Sequence, residues 1–168
     1  MEKTTLNDFS DDPLAPRKNN IFLHPGFRFG FIGAVIAILF NLMLILIYSG
    51  DTRGDGIAWF FQVIIYFIVS RGAAESQYNS NIRRGGYEYL RGVKAAGLGA
   101  GLTASVLVWV YIIIRGVVRD AYGISIIVEP FSLCIGIFMD VLIAITLGAW
   151  GGNSIAKKYS VDRLGGSF

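Results

Sequence analysis

One acidic residue interrupts a long apolar segment in the second half of the chain. Asp140 lies at the middle of residues 130–150, which are otherwise almost entirely apolar. A helix of that length reaches roughly 30 Å, the thickness of the hydrocarbon core of a bilayer. A charged carboxyl group at that depth costs roughly 3 kcal/mol on insertion scales, so we expect it to be protonated or bonded to water. Proton or cation transfer and the binding of a polar substrate are the chemistries that such an acid could perform.

Small residues flank this acid at helical spacing. Gly136, Ala144 and Gly148 lie four residues apart from it or from one another, so they share its face of a helix. In lipid, a ridge of small residues allows another helix to approach closely. We therefore expect the carboxyl group to face protein instead of acyl chains.

Few polar side chains elsewhere have a sequence position that fits the same depth. We expect Asp140 to lie near Thr103 or Ser105, and also near Asn41. The alternative to a transport role is an interhelical hydrogen bond that only fixes packing, worth roughly 0.6 to 2 kcal/mol. Proton pathways usually contain several ionisable residues, whereas this segment contains one. The sequence leaves both alternatives open.

Composition indicates a membrane protein with all-α structure. Of the 168 residues, 54% are hydrophobic and only 16% are charged, and 21 are glycine. Four apolar blocks predict a four-helix bundle with membrane-spanning helices at 29–48, 57–74, 95–114 and 130–150, within a membrane domain of residues 21–156. Residues 1–20 are polar and predict a mobile tail, and residues 157–168 predict a short basic tail.

The distribution of basic residues predicts the orientation. Lysine and arginine concentrate before the first apolar block, in the segment 71–94 and in the carboxyl tail, whereas the other two connections contain few. The positive-inside rule then places both termini and the segment 71–94 in the cytoplasm. A re-entrant second block would place segment 71–94 outside, and we reject it for that reason. A plasma-type, or inner, membrane is the predicted location.

The third apolar block begins with an unusually dense run of small residues. Gly97 and Gly101 form a GxxxG motif, and Ala96 and Ala100 form a second small face beside it. Small faces on two sides predict close contacts with two helices. Together with small residues on the first helix, they exceed what four helices need internally, so we expect a homo-oligomer or a complex with other membrane subunits.

A cluster of cations lies between the second and third blocks. Its members are Arg83, Arg84, Arg91 and Lys94. They predict contact with anionic lipid headgroups, or they serve only as the positive-inside signal, with the nearby tyrosines at the interface. The second interpretation is the simpler one.

No constellation of residues predicts catalysis or a cofactor. The chain has one histidine and one cysteine, which provide neither a metal cluster nor a catalytic pair with a serine. The modest positive charge is explained by the loops, and we expect no nucleic-acid binding. We therefore expect a non-enzymatic structural or accessory subunit. The alternative is a small transporter or channel that uses Asp140, and an enzyme acting on lipid ranks third.

Overall fold

The described part of the chain is entirely helical. The computed structural model describes residues 24–48, 52–83, 89–122 and 130–164. Its four helices are α1 (Pro25–Tyr48), α2 (Thr52–Arg83), α3 (Val93–Ala121) and α4 (Pro130–Leu164). All four are long and apolar enough to cross a membrane, so the prediction of an all-α chain with four such helices is confirmed. The predicted tail at 1–20 and Arg84 lie outside the described residues.

The two middle helices form the centre of the bundle. Both α2 and α3 pack against each other and against each of the two outer helices, and within the described residues α1 makes no contact with α4. Consecutive helices run antiparallel, because the start of α1 meets the end of the apolar part of α2, as in the pair of Phe29 and Gly72. Helices α1 and α3 therefore begin at the same end of the bundle.

Helices α2 and α4 continue well past the predicted spans. The segment predicted as a connection from Arg71 onward is helical as far as Arg83, and the predicted carboxyl tail is helical as far as Leu164. A cluster of buried residues beyond the apolar runs explains this extension, because the helices still pack against each other where their sequences are no longer apolar. Its buried members are Ala74, Tyr78, Val93, Ile155 and Ala156.

Aromatic contacts join the extended ends of α2 and α4. The rings of Tyr78 and Tyr159 stack at 3.8 Å between centroids. The hydroxyl of Tyr159 also donates a hydrogen bond to Glu75 at 3.0 Å. We call this end of the bundle the basic end, because its exposed cations include Arg83, Arg91, Lys94, Lys157 and Lys158.

An asparagine holds the approach to α3 at the basic end. The amide of Asn81 donates hydrogen bonds to the carbonyl oxygens of Tyr89 and Arg91, at 2.9 and 2.8 Å. Gly92 follows with φ at 74°, a left-handed conformation that favours glycine. These contacts fix the turn from which α3 begins.

Small residues bring the backbones of α3 and α4 into direct contact. A Cβ atom added at Gly97 would lie 2.9 Å from the carbonyl oxygen of Gly148. One added at Gly101 would lie 2.6 Å from the carbonyl oxygen of Ala144. A Cβ atom added at Gly136 would instead lie 3.2 Å from the ring of Trp109. Glycine is therefore required at the two α3 positions for this packing.

The second small face of α3 contacts α1. A Cβ atom at Gly26 would lie 2.9 Å from the carbonyl oxygen of Ala96, and one at Gly30 would lie 2.6 Å from Cβ of Thr103. Both small faces of α3 are thus covered within one chain. An oligomer, which we predicted from a surplus of such faces, would need a different surface.

Candidate polar site at Asp140

The carboxyl group of Asp140 lies inside the bundle, where α4 meets α2 and α3. The residue is 2% exposed. Its Oδ2 atom accepts hydrogen bonds from the hydroxyls of Tyr66 and Ser105, both at 2.8 Å. The indole N–H of Trp109 donates to the same oxygen at 2.9 Å. The amide of Gln62 donates to both carboxyl oxygens, at 3.1 and 3.2 Å.

The donors come in two pairs with helical spacing. Gln62 and Tyr66 lie four residues apart on α2, and the amide of Gln62 also donates to the Tyr66 hydroxyl. Ser105 and Trp109 lie four residues apart on α3. Residues at this spacing share one face of a helix, so each helix presents one donor pair to the acid. Three helices are joined through one side chain.

The donor set suits an ionised carboxylate that has no cation beside it. An indole N–H and an amide NH₂ can only donate, and an ionised carboxylate can only accept, through about four lone-pair sites. All four side chains donate to Oδ2, and Gln62 alone also donates to Oδ1. Hydrogen bonds of this kind replace the water that the carboxylate loses on burial. No group of three metal-ligating side chains occurs among the described residues.

One buried hydroxyl beside this site has no partner. Ser70 is fully buried on α2, one turn after Tyr66, and its Oγ atom makes no hydrogen bond. The Oγ atom lies 3.2 Å from the position of a Cβ atom on Gly101, where α2 meets α3. The polar stripe on α2 therefore extends from Gln62 through Tyr66 to Ser70 toward the basic end.

The structure brings together only part of the predicted polar site. Ser105 contacts Asp140 as predicted. Thr103 packs instead against Gly30 of α1, because it lies two residues, or roughly 200°, from Ser105 around the helix. Asn41 accepts a hydrogen bond from Arg115 at 3.0 Å, far from the acid, because no face of α1 reaches α4. Neither Asn41 nor Thr103 is among the hydrogen-bond partners of Asp140 in the described residues.

Three of the four donors were not predicted from the sequence. Gln62, Tyr66 and Trp109 were not assigned to the acid. A signal did exist, because Gln62, Tyr66 and Ser70 place polar groups every four residues on an otherwise apolar helix. Ser105 and Trp109 repeat that spacing on α3. Two polar stripes with equal spacing indicate a shared partner between the helices.

The predicted headgroup cations lie at the basic end. Arg83, Arg91 and Lys94 are all exposed there, at the end of α2 and the start of α3. They lie at the same end as the extended helix ends, and they do not contact the Asp140 site. Arg84, predicted with them, is outside the described residues.

The chain was also compared with protein-family models, curated proteins and solved structures, and nothing matches it. Its function is therefore inferred from the contacts of its own described residues.

Proposed function

We propose that the protein is a non-enzymatic, multi-pass membrane protein that acts as a structural or accessory subunit of a membrane complex. The enclosure of the buried Asp140 side chain by donors of α2 and α3 is the observation that carries this proposal. A group that transfers protons or binds a substrate must exchange partners during its cycle. Here four donors from α2 and α3 hold the carboxyl group, which suits a structural joint between three helices.

The basic end supports an accessory role, because it offers a folded surface outside the apolar spans. Stacking of Tyr78 on Tyr159 holds the ends of α2 and α4 together. Exposed cations surround this surface, and the positive-inside rule favours its placement in the cytoplasm of a plasma-type membrane, with both termini. A partner subunit would meet a folded, positively charged platform there.

Native mass spectrometry of the tagged protein, extracted from its own membrane into lipid nanodiscs, tests the accessory role. We expect other membrane subunits in fixed stoichiometry, or a homo-oligomer. Lys157→Gln combined with Lys158→Gln should weaken a partner held at the basic end, whereas Arg119→Gln at the opposite end serves as the control. A protein that remains monomeric and unaccompanied would contradict an accessory role.

A transporter or channel is the second candidate, and Ser70 is the observation that favours it. Its unpartnered hydroxyl extends the polar groups around Asp140 by one turn toward the basic end. In that case Asp140 would bind a proton, a cation or a polar substrate. Asp140→Asn should then change flux across liposomes while the fold stays intact, and Ser70→Ala should change flux in the same direction. Unchanged flux in both variants removes the site from any transport mechanism.

A further inference from the structure

A shallow groove between α1 and α3 combines apolar walls with two arginines. It lies at the end opposite to the basic end, and it has a volume of about 520 Å³. Its apolar walls come from both helices, and its cations lie one helical turn apart on α3. The side chains concerned are Leu42, Ile45, Ile114 and Val118, with Arg115 and Arg119.

The first of these arginines is held in place by α1. Its Nη1 atom donates to the side-chain oxygen of Asn41 at 3.0 Å, and the hydroxyl of Tyr111 lies 3.4 Å from the same oxygen. Arg115 is partly buried, so its guanidinium is fixed at the groove and does not extend freely from the surface. The remaining N–H groups of a guanidinium form a planar fork that matches two oxygens of a phosphate.

The depth of the arginines corresponds to the headgroup region. Ser105 marks the level of Asp140, and Arg115 follows ten residues later on α3, or roughly 15 Å along the axis. That distance is about half of the hydrocarbon thickness, so an acid at the centre of the bilayer places Arg115 at its boundary. Arg119 lies one turn farther out, within reach of a phosphate.

Charge at this end is not balanced by the described carboxylates. Among the side chains that the structure describes, the only carboxylates are Glu75 and Asp140. Glu75 is paired with Tyr159 at the basic end, and Asp140 is enclosed by its own donors. Neither of these two carboxylates pairs with Arg115 or Arg119, whose charges can attract a phosphate.

We propose that this groove binds one acidic phospholipid. Arg115 and Arg119 hold its phosphate, and an acyl chain lies along the apolar walls. An apolar wall directly below a pair of cations complements a phospholipid, whose charged phosphate lies at the boundary of the hydrocarbon and whose acyl chain lies below it. This site is distinct from the basic end and does not depend on the accessory role.

Native mass spectrometry of the delipidated protein in detergent micelles tests the proposal, with phosphatidylglycerol and phosphatidylcholine as the two probes. We expect one bound phosphatidylglycerol, preferred over phosphatidylcholine. Arg115→Gln with Arg119→Gln should weaken phosphatidylglycerol binding roughly 30-fold, from the loss of two charges near a phosphate. Ile45→Trp fills the groove and should weaken both lipids. Melting temperatures of the variants show whether they remain folded.

The matched control removes two charges elsewhere. Lys157→Gln with Lys158→Gln should leave phosphatidylglycerol binding at the wild-type level. Equal losses from the lysine pair and the arginine pair would overturn the proposal, and so would binding that survives the arginine changes. Two other occupants would also overturn it. If a second copy of the chain occupies the groove, a lipid-free dimer should form and should disappear when the arginines are replaced. If the chain's own Glu129 occupies it, phosphatidylglycerol should bind only to the Glu129→Gln variant.

Discussion

The hydroxyl of Tyr66 provides the sharpest test of the joint at Asp140. Tyr66→Phe removes one donor and keeps the buried ring. Hydrogen bonds between membrane helices contribute about 0.6 kcal/mol on average and up to about 1.7 kcal/mol, and bonds to charged groups are the stronger ones. The 2.8 Å contact with the carboxyl oxygen belongs to the stronger group. We therefore expect Tyr66→Phe to lower the free energy of unfolding by about 1.5 kcal/mol.

A double-mutant cycle assigns that loss to the pair. In an Asp140→Asn background, the neutral amide is a weaker acceptor, so Tyr66→Phe should cost only about 0.5 kcal/mol. The unfolding free energies are measured by titration with sodium dodecyl sulfate in mixed micelles, followed by circular dichroism. Ser70→Ala is the matched control, because its hydroxyl is equally buried on the same helix and bonds to nothing.

An equal loss of unfolding free energy from Tyr66→Phe in the wild-type and Asp140→Asn backgrounds would refute the assignment of this loss to the pair. That result would mean that the hydroxyl stabilises the bundle through some contact other than Asp140. A cost for Ser70→Ala equal to that of Tyr66→Phe would also refute it, because any buried polar change would then have the same effect.

Two further predictions concern packing and the basic end. Gly101→Ala should destabilise the bundle by roughly 1 to 3 kcal/mol, because the new Cβ atom would lie 2.6 Å from the carbonyl oxygen of Ala144. Gly116→Ala should not destabilise it, because nothing lies within 4 Å of a Cβ atom added there. Thermal unfolding of both variants in the same detergent checks this, and equal melting temperatures would contradict it. Asn81→Ala should increase hydrogen exchange within 89–93, since two carbonyl oxygens lose their donor. Unchanged exchange there would show that the turn holds without Asn81.

The sequence was sufficient for the number of helices and insufficient for their ends. Apolar runs mark where hydrocarbon would surround a helix, so the four blocks were evident from composition. The predicted helices ended at residues 74 and 150, where the apolar runs give way to polar and small residues. In the structure the helices continue because Tyr78 meets Tyr159 across a long sequence separation, a contact that no local pattern reveals.

Of the candidate site, only the acid and one of its donors could be predicted from the sequence. Asp140 was evident because a charge in an apolar run is rare, and Ser105 lies at a matching depth. Depth alone could not separate Ser105 from Thr103, because the separation depends on which face of α3 turns toward α4. That orientation follows from the close backbone contact at Gly101, which is a property of two helices together.

The order of the polar residues along the chain has a consequence for biosynthesis. All four donors precede the acid, and the last of them, Trp109, is made 31 residues earlier. At roughly 5 to 20 residues per second, the ribosome completes α2 and α3 a few seconds before Asp140 leaves it. If the helices insert in this order, the acid would enter the bilayer after its donors. A circular permutant that begins with α4 would insert the same acid with no donor waiting, and its membrane integration should fail more often than that of the natural order.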